Sequence, residues 1–443
     1  MSKPTYFRIA LLIAAALASS SCGIMKKKGP KTPVLGERIP VLTSETDAEV
    51  DPATQALPFN LPAPVENTNW AESGGSASNS MGHVALGKAL QPAFTVQAGR
   101  GSSLTARLAA PPIVANGRIY VIDTLGTVRA FDARTGSAVW SSQTPGVKGS
   151  EAAIYGGGIA YDNGRVYATN GLGFVSALSE QNGGIAWQVR PGGPLRGAPT
   201  VANGAIYVIS QDNQIYSLKE DDGSTNWSQP ASLELAGIFG AASPAIGQGT
   251  VVAGFSSGEL NGYRYENGRQ VWQDQLQRTS VRTSVSSLSD IDADPVVDNG
   301  QVFAIGAGGR MVALDLVSGQ RMWELSIAGI ATPWVAGDWI FVVTSDAKLM
   351  CIYRQNGHVR WIAQLPQFEK PKPKKGDIEY SGPVLAGNRL ILTSSSGQVI
   401  EVDPATGSYI SQFAAGARID LPPVVANSTL YVYDDQARLH AYR

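Results

Sequence analysis

The chain has 443 residues, 43% of them hydrophobic, with 49 glycines and a net charge of -1 from 35 basic and 36 acidic side chains. That apolar fraction excludes a disordered chain, and the even charge balance removes the electrostatic reason to bind a polyanion, so nucleic acid is not an expected partner. Two cysteines exclude a disulfide framework.

The first residues predict export. Lys3 and Arg8 flank a basic start, and residues 9–18 (IALLIAAALA) form an apolar stretch too short to span a bilayer but suited to a signal-peptide core. Ser19, Ser20 and Ser21 precede Cys22, an arrangement that resembles the lipobox of bacterial lipoproteins, in which the cysteine becomes the lipid-bearing first residue. Ser19 stands where that pattern usually has Leu, and an ordinary secreted chain cleaved near Ser21 is the alternative. Gly23 follows, with no Asp to resemble an inner-membrane retention signal, so the analogy points to lipid anchoring at the periplasmic face of the outer membrane. Residues 1–21 are thus expected to be a signal peptide. Residues 22–66, with prolines at 30, 33, 40, 52, 58, 62 and 64, are expected to be a lipidated tether reaching roughly 40 Å as a flexible coil.

Residues 67–443 are expected to form one body. After residue 110 the chain repeats seven times an Asn-Gly-like turn, an alternating apolar run, a second turn, another alternating run and then Thr-Gly-x-x-x-Trp or a close variant. The closing-turn glycines are Gly136, Gly183, Gly223, Gly268, Gly319, Gly357 and Gly407, in steps of 47, 40, 45, 51, 38 and 50 residues. That is the period of a four-stranded propeller blade, which cannot bury its own faces and must stack on neighbours. Asn116-Gly117, Asn163-Gly164, Asn203-Gly204 and Asn299-Gly300 suit two-residue hairpins. In VRAFDA, Val128 and Ala130 point one way and Arg129 and Phe131 the other, which reads as a half-buried strand. Trp140, Trp187, Trp227, Trp272, Trp323 and Trp361 each follow a turn glycine by four residues, and wedging between blades is expected of them before any ligand platform.

The departures from the pattern are informative. In the seventh copy Ser411 falls at the tryptophan place, with Phe413 nearby to fill the space. An eighth copy, residues 423–443, ends after three strands. Allowing a one-residue shift, residues 90–99 align with 137–146 and put Phe94 at the tryptophan place, so an N-terminal strand is expected to complete the last blade of an all-β, eight-bladed propeller. Ahead of the fourth blade, residues 231–244 (ASLELAGIFGAASP) carry Leu233, Leu235, Ile238 and Phe239, either as an exposed apolar contact or buried on the propeller. Ahead of the fifth, SLSDIDADPVV places Asp290, Asp292 and Asp294 at alternate positions. A calcium loop would next need Gly and Glu where Pro295 and Gln301 stand, which disfavours that ion. Acids capping a turn are the plain alternative. Residues 364–381, with Lys370, Lys372, Lys374 and Lys375 among prolines, are expected to project as an extended basic arm.

The repeats resemble the PQQ-type β-propeller repeat of quinoprotein dehydrogenases and of the BamB family of outer-membrane assembly lipoproteins. A quinoprotein enzyme implies a calcium cluster, a catalytic aspartate and, in many members, a vicinal disulfide, whereas Cys22 and Cys351 are far apart, and of the three histidines, His83, His358 and His440, a blade turn suffices for His358 and an inner strand for His440. The BamB resemblance is more local. It maps the family's Leu-x-Asp-hydrophobic-Asp run onto Asp290 and Asp292 and its leucine loop onto Leu233 and Leu235, with Phe239 added and the family's basic residue missing. It implies a noncatalytic, cofactor-free scaffold of the β-barrel assembly machinery. Its partners would be periplasmic domains of BamA, the other subunits and unfolded outer-membrane clients. A quinone-dependent periplasmic dehydrogenase, or a degenerate relative of one, and a generic protein-binding propeller are the alternatives.

Overall fold

The Asn-Gly pairs shape the fold from the smallest scale. Asn116 and Gly117 both take positive φ, 48° and 72°, giving the mirror-image turn whose twist matches the strands it joins. Ile113–Ala115 therefore pairs antiparallel with Arg118–Ile122, and Thr127–Asp132 and Ala138–Gln143 complete the first blade. In the computed structural model, which describes residues 48–150, 153–195, 197–234, 242–277 and 289–443, eight such four-stranded sheets follow one another, a propeller of eight blades. The fourth blade makes its first turn with Gln248-Gly249. The eighth is closed as expected: Pro92–Gln97 pairs with Arg438–Tyr442, joining the two ends of the body in one sheet.

Adjacent blades are locked by a repeated contact. The tryptophan on the outer strand of one blade lies against the closing-turn glycine of the next, so a Cβ at Gly268 would come within 2.5 Å of the Trp227 ring and one at Gly319 within 2.4 Å of Trp272. Each indole N–H also donates to a carbonyl of the next blade, from Trp140 to Glu180 (2.7 Å), from Trp272 to Leu316 (2.8 Å) and from Trp361 to Pro404 (3.0 Å). The contact thus uses both the apolar ring and its one polar atom. Phe94 takes the same place against Gly136 at the closure. Phe413 does serve where the seventh tryptophan is missing, with its ring centroid 4.9 Å from that of Tyr442.

Stacking changes the expected burial. Along Thr127–Asp132 not only Val128 and Ala130 but also Phe131 is buried, since an inner strand has a neighbouring blade on each face. The half-exposed alternation appears on outer strands such as Ala138–Gln143. Cys351 is buried, its thiol pushed up by burial. The lysine-rich segment is a short hairpin, Phe368–Lys370 with Lys375–Asp377, because its prolines sit in and beside the turn and leave the flanking backbone free to pair.

Residues 48–66, part of the stretch expected to be an extended tether, lie on the propeller. Val50 bridges to Val359, and Asp51 caps the single-turn helix Pro52–Gln55 by accepting from the Thr54 N–H (3.0 Å) and hydroxyl (2.6 Å). Those bonds, with the Thr54 hydroxyl first and His358 next, hold the Asp51 carboxyl down at about 2. Arg360 donates to the Leu57 carbonyl (2.7 Å) and lies over the rings of Phe59 and Trp339.

Residues 67–86 then pass once around the inner ends of the blades. Asn67 bonds to Val425 and Asn427 of blade 8, Trp70 pairs with Val114 of blade 1, and the Ala71 carbonyl accepts from Tyr161 of blade 2. Glu72 accepts from the Val201 N–H of blade 3, and the carbonyls of Ala77 and Ser78 accept from Ile246 and Val297 of blades 4 and 5. The Gly82 carbonyl takes the Trp334 indole of blade 6, and Val84 pairs with Leu385 and Gly387 of blade 7. This segment is a cap, hydrogen-bonded to all eight blades.

Candidate functional site

The segments leading into blades 4 and 5 are joined by polar contacts over one turn. Asn213, in a turn of blade 3, donates from Nδ2 to the Ser232 carbonyl (2.7 Å) and accepts at Oδ1 from the Ser256 hydroxyl (2.8 Å). Ser289 donates to the Ser256 carbonyl (3.0 Å), and Ser232 bonds through its N–H and hydroxyl to Glu259 (2.9 and 2.6 Å). Ser232 and Ser289 stand next to Leu233 and Asp290, so the two segments expected to meet a partner share one face of blade 4. Leu233 is 65% exposed there, which favours the contact reading over burial. Leu235, Phe239 and Cys22 lie outside the described residues.

The aspartates sit otherwise than expected of surface contacts. Asp290 is only 2% exposed, and its carbonyl accepts from the Ala307 N–H (2.9 Å). The reason is the path of the chain, which dips between blades 4 and 5 and packs Ile291 so close to Gly254 that a Cβ there would lie 2.5 Å away. Asp292 lines the central cavity, with Oδ2 enclosed and without a hydrogen-bond partner among the described residues. Its carboxyl is pushed up to about 7, by burial first and then by the charge of Asp290. Asp294, on the same wall, accepts from the Ser243 N–H (2.6 Å), which ties the two inter-blade segments together again. Burial pushes it to about 6, with the Ser243 and Ser73 donors pulling the other way.

The cap contributes residues that sequence reasoning missed. Glu72 is buried with Oε2 unpartnered among the described residues, and burial raises its carboxyl well above the usual range. Trp70 stacks on Trp334 with centroids 5.9 Å apart. Residues 67–86 show no apolar period, and most of their bonds use backbone groups, so no side-chain pattern announced them. The three histidines have structural places: Nδ1 of His83 bonds to the Pro62 carbonyl (2.7 Å), that of His358 to Asp51 (3.0 Å), and Nε2 of His440 lies 3.2 Å from Asp434.

Comparison with known proteins agrees with this architecture. The family model described as outer membrane protein assembly factor BamB matches residues 101–155 and 126–363. A curated relative of that description from Moranella endobia (strain PCIT) is 25% identical over 334 residues, spanning 74% of this chain and 84% of the relative. Among solved structures, BamB from Moraxella catarrhalis superposes with a TM-score of 0.66 at 17% identity, over 80% of this chain and all of that one. A europium-containing methanol dehydrogenase gives 0.67 at 13% identity, over 83% of this chain and 90% of that one. At such identities the structural likenesses show the propeller alone.

Proposed function

The chain belongs to the BamB family of outer membrane protein assembly factors, and from that premise we propose that it is a noncatalytic scaffold of the β-barrel assembly machinery. Its role is in outer-membrane protein assembly. It binds a periplasmic domain of BamA, works beside the machine's other subunits, and is held at the periplasmic face of the outer membrane by lipid on Cys22.

The observation that carries the contact is Leu233, exposed on a face that polar bonds hold in register with the segment entering blade 5. Leu235 and Phe239 extend that surface by sequence. Asp290 and Asp292 serve it as positioning residues that fix the course of their segment, in keeping with their burial.

The enzyme reading is tested by what the channel could hold. Pyrroloquinoline quinone is a tricarboxylate, and the cavity would meet it with the buried carboxyls of Asp292 and Asp294, with Arg107 as the one cationic side chain on the lining among the described residues. These residues do not fit an anionic quinone.

Recovery of BamA with this chain from detergent-solubilised membranes tests the proposal. Recovery is expected to fall with Leu233→Asp and with Asp290 and Asp292 both changed to Ala. Unchanged recovery in the first variant removes this surface, and in the second it removes the carboxylates as contributors. Oxidation of alcohols by purified protein supplied with the quinone would overturn the noncatalytic reading.

A further inference from the structure

The ring has two unlike faces. The cap bonds where inner strands end in their first turns, as at Asn427 and Gly387. The connections from each outer strand to the next blade leave from the other end of the antiparallel strands, and so lie on the opposite face. There the connection from Pro92–Gln97 into blade 1 carries Leu104, which is fully exposed. The turn that presents it is fixed: the Ser103 N–H donates to the Ala106 carbonyl (2.7 Å), and the Ser103 hydroxyl accepts from the N–H groups of Thr105 (3.3 Å) and Ala106 (3.1 Å). Ser102 ties its base to blade 8, donating from its N–H to the Asp435 carbonyl (2.7 Å) and from its hydroxyl to the Asp435 carboxylate (2.8 Å). Leu125 is exposed beside it, on a turn whose Thr124 hydroxyl donates to the Arg100 and Gly101 carbonyls. A large apolar side chain held rigidly clear of the body adds nothing to the fold and is suited to burial in something else.

Charge narrows what covers it. Arg100 and Arg107, at the two ends of this connection, are exposed and form no ion pair among the described residues. On the same face the hairpin between blades 6 and 7 exposes Lys370, Lys372, Lys374 and Lys375 against Glu369 and Asp377. Lys370 stands directly across from Lys375, a like-charge pairing unfavourable to the hairpin itself. Glu379 at its base is already paired with Arg418. The N-terminal arm joins the body at blade 6, through Val50 on Val359, so an anchor on Cys22 draws in this side of the ring. A pocket on a protein accommodates one leucine, whereas cations spread from blade 6 to blade 1 around an apolar tip match a broad anionic plane.

We propose that the inter-blade face from blade 6 to blade 1 docks on an anionic phospholipid surface, with Leu104 entering the acyl boundary and the arginines and hairpin lysines meeting headgroup phosphates. This rests on the reading of Cys22 as a lipid anchor, and it leaves the partner surface on blade 4 free across the ring.

Cosedimentation of the full chain carrying Cys22→Ser, which has no lipid of its own, tests it with vesicles of phosphatidylglycerol and phosphatidylethanolamine and with vesicles of phosphatidylcholine. Salt-sensitive binding at least about tenfold tighter to the first is expected. Affinity for them is expected to fall at least about tenfold with Lys370→Gln, Lys372→Gln, Lys374→Gln and Lys375→Gln combined, and about tenfold with Leu104→Ser. These positions are exposed, so melting temperatures are expected to stay unchanged and loss of binding is not loss of fold. All variants share one N-terminus, so their differences report on this face, while the mass of the wild-type N-terminus recovered from membranes decides the lipid anchor separately. Equal binding to both vesicles, or undiminished affinity in both variants, would overturn the proposal. Undiminished vesicle binding with reduced BamA recovery in the lysine variant would also overturn it and assign the cations to a protein partner.

Discussion

The ring and the cap are held by opposite means. In the ring one contact recurs at blade after blade, an indole against the next blade's turn glycine with its N–H on a carbonyl, so each tryptophan repeats its neighbours' role. In the cap each blade is met by different residues through different bonds, and much of the bonding is through backbone groups. Repetition makes a structure legible and gives stability, while the segments outside the repeat supply the buried acids and the exposed leucine that set this chain's surface apart.

The largest way to break this contrast is at a blade junction. Trp272→Ala removes a buried ring and strands the Leu316 carbonyl, and is expected to cost about 3–5 kcal/mol of stability, read as a lower midpoint in denaturant. A loss well under that would mean the junctions share the load far more evenly than the geometry implies.

Asp292 gives the next effect, with the opposite sign. Its carboxyl is raised to about 7 in the folded chain from an ordinary 3.8, so folding takes up a proton between those values. Its contribution to stability is therefore present at low pH, falls as pH rises from about 4 to about 7, and levels off above. Asp294 and Glu72 slope the same way. Asp292→Asn is expected to stabilise the protein at pH 8 by on the order of 2–4 kcal/mol and to flatten the pH profile of the melting temperature. A steeper profile in the variant would reverse the assignment.

A smaller effect sharpens the account of the N-terminal segment. Asp51→Ala removes the cap of the helix Pro52–Gln55 and the partner of His358, and should speed hydrogen exchange and proteolysis around residues 50–57 while leaving the ring's unfolding midpoint unchanged. A shift of that midpoint would make this segment part of the ring's own cooperative unit.

Reading the sequence reached the ring because tryptophan and glycine recur in phase, and it reached the closing strand because Phe94 stands where the missing tryptophan would. It misjudged residues 48–66, whose prolines suggest an extended tether. The signal against that reading was local, an Asp51-Pro52 pair of the kind that starts a helix, with Phe59 following to pack on Trp339. It found the Asp290–Asp292 run but not its burial, since alternate acids look alike whether they face solvent or a channel.

On the proposed function, the partner surface lies on the inter-blade segments and is separable from the repeat. The decisive experiment titrates the purified periplasmic region of BamA against the chain and its Leu233→Asp variant, with melting temperatures measured alongside. An affinity at least about tenfold lower at an unchanged melting temperature is expected, because Leu233 is exposed and supports no blade. Unchanged affinity in a folded variant would contradict it.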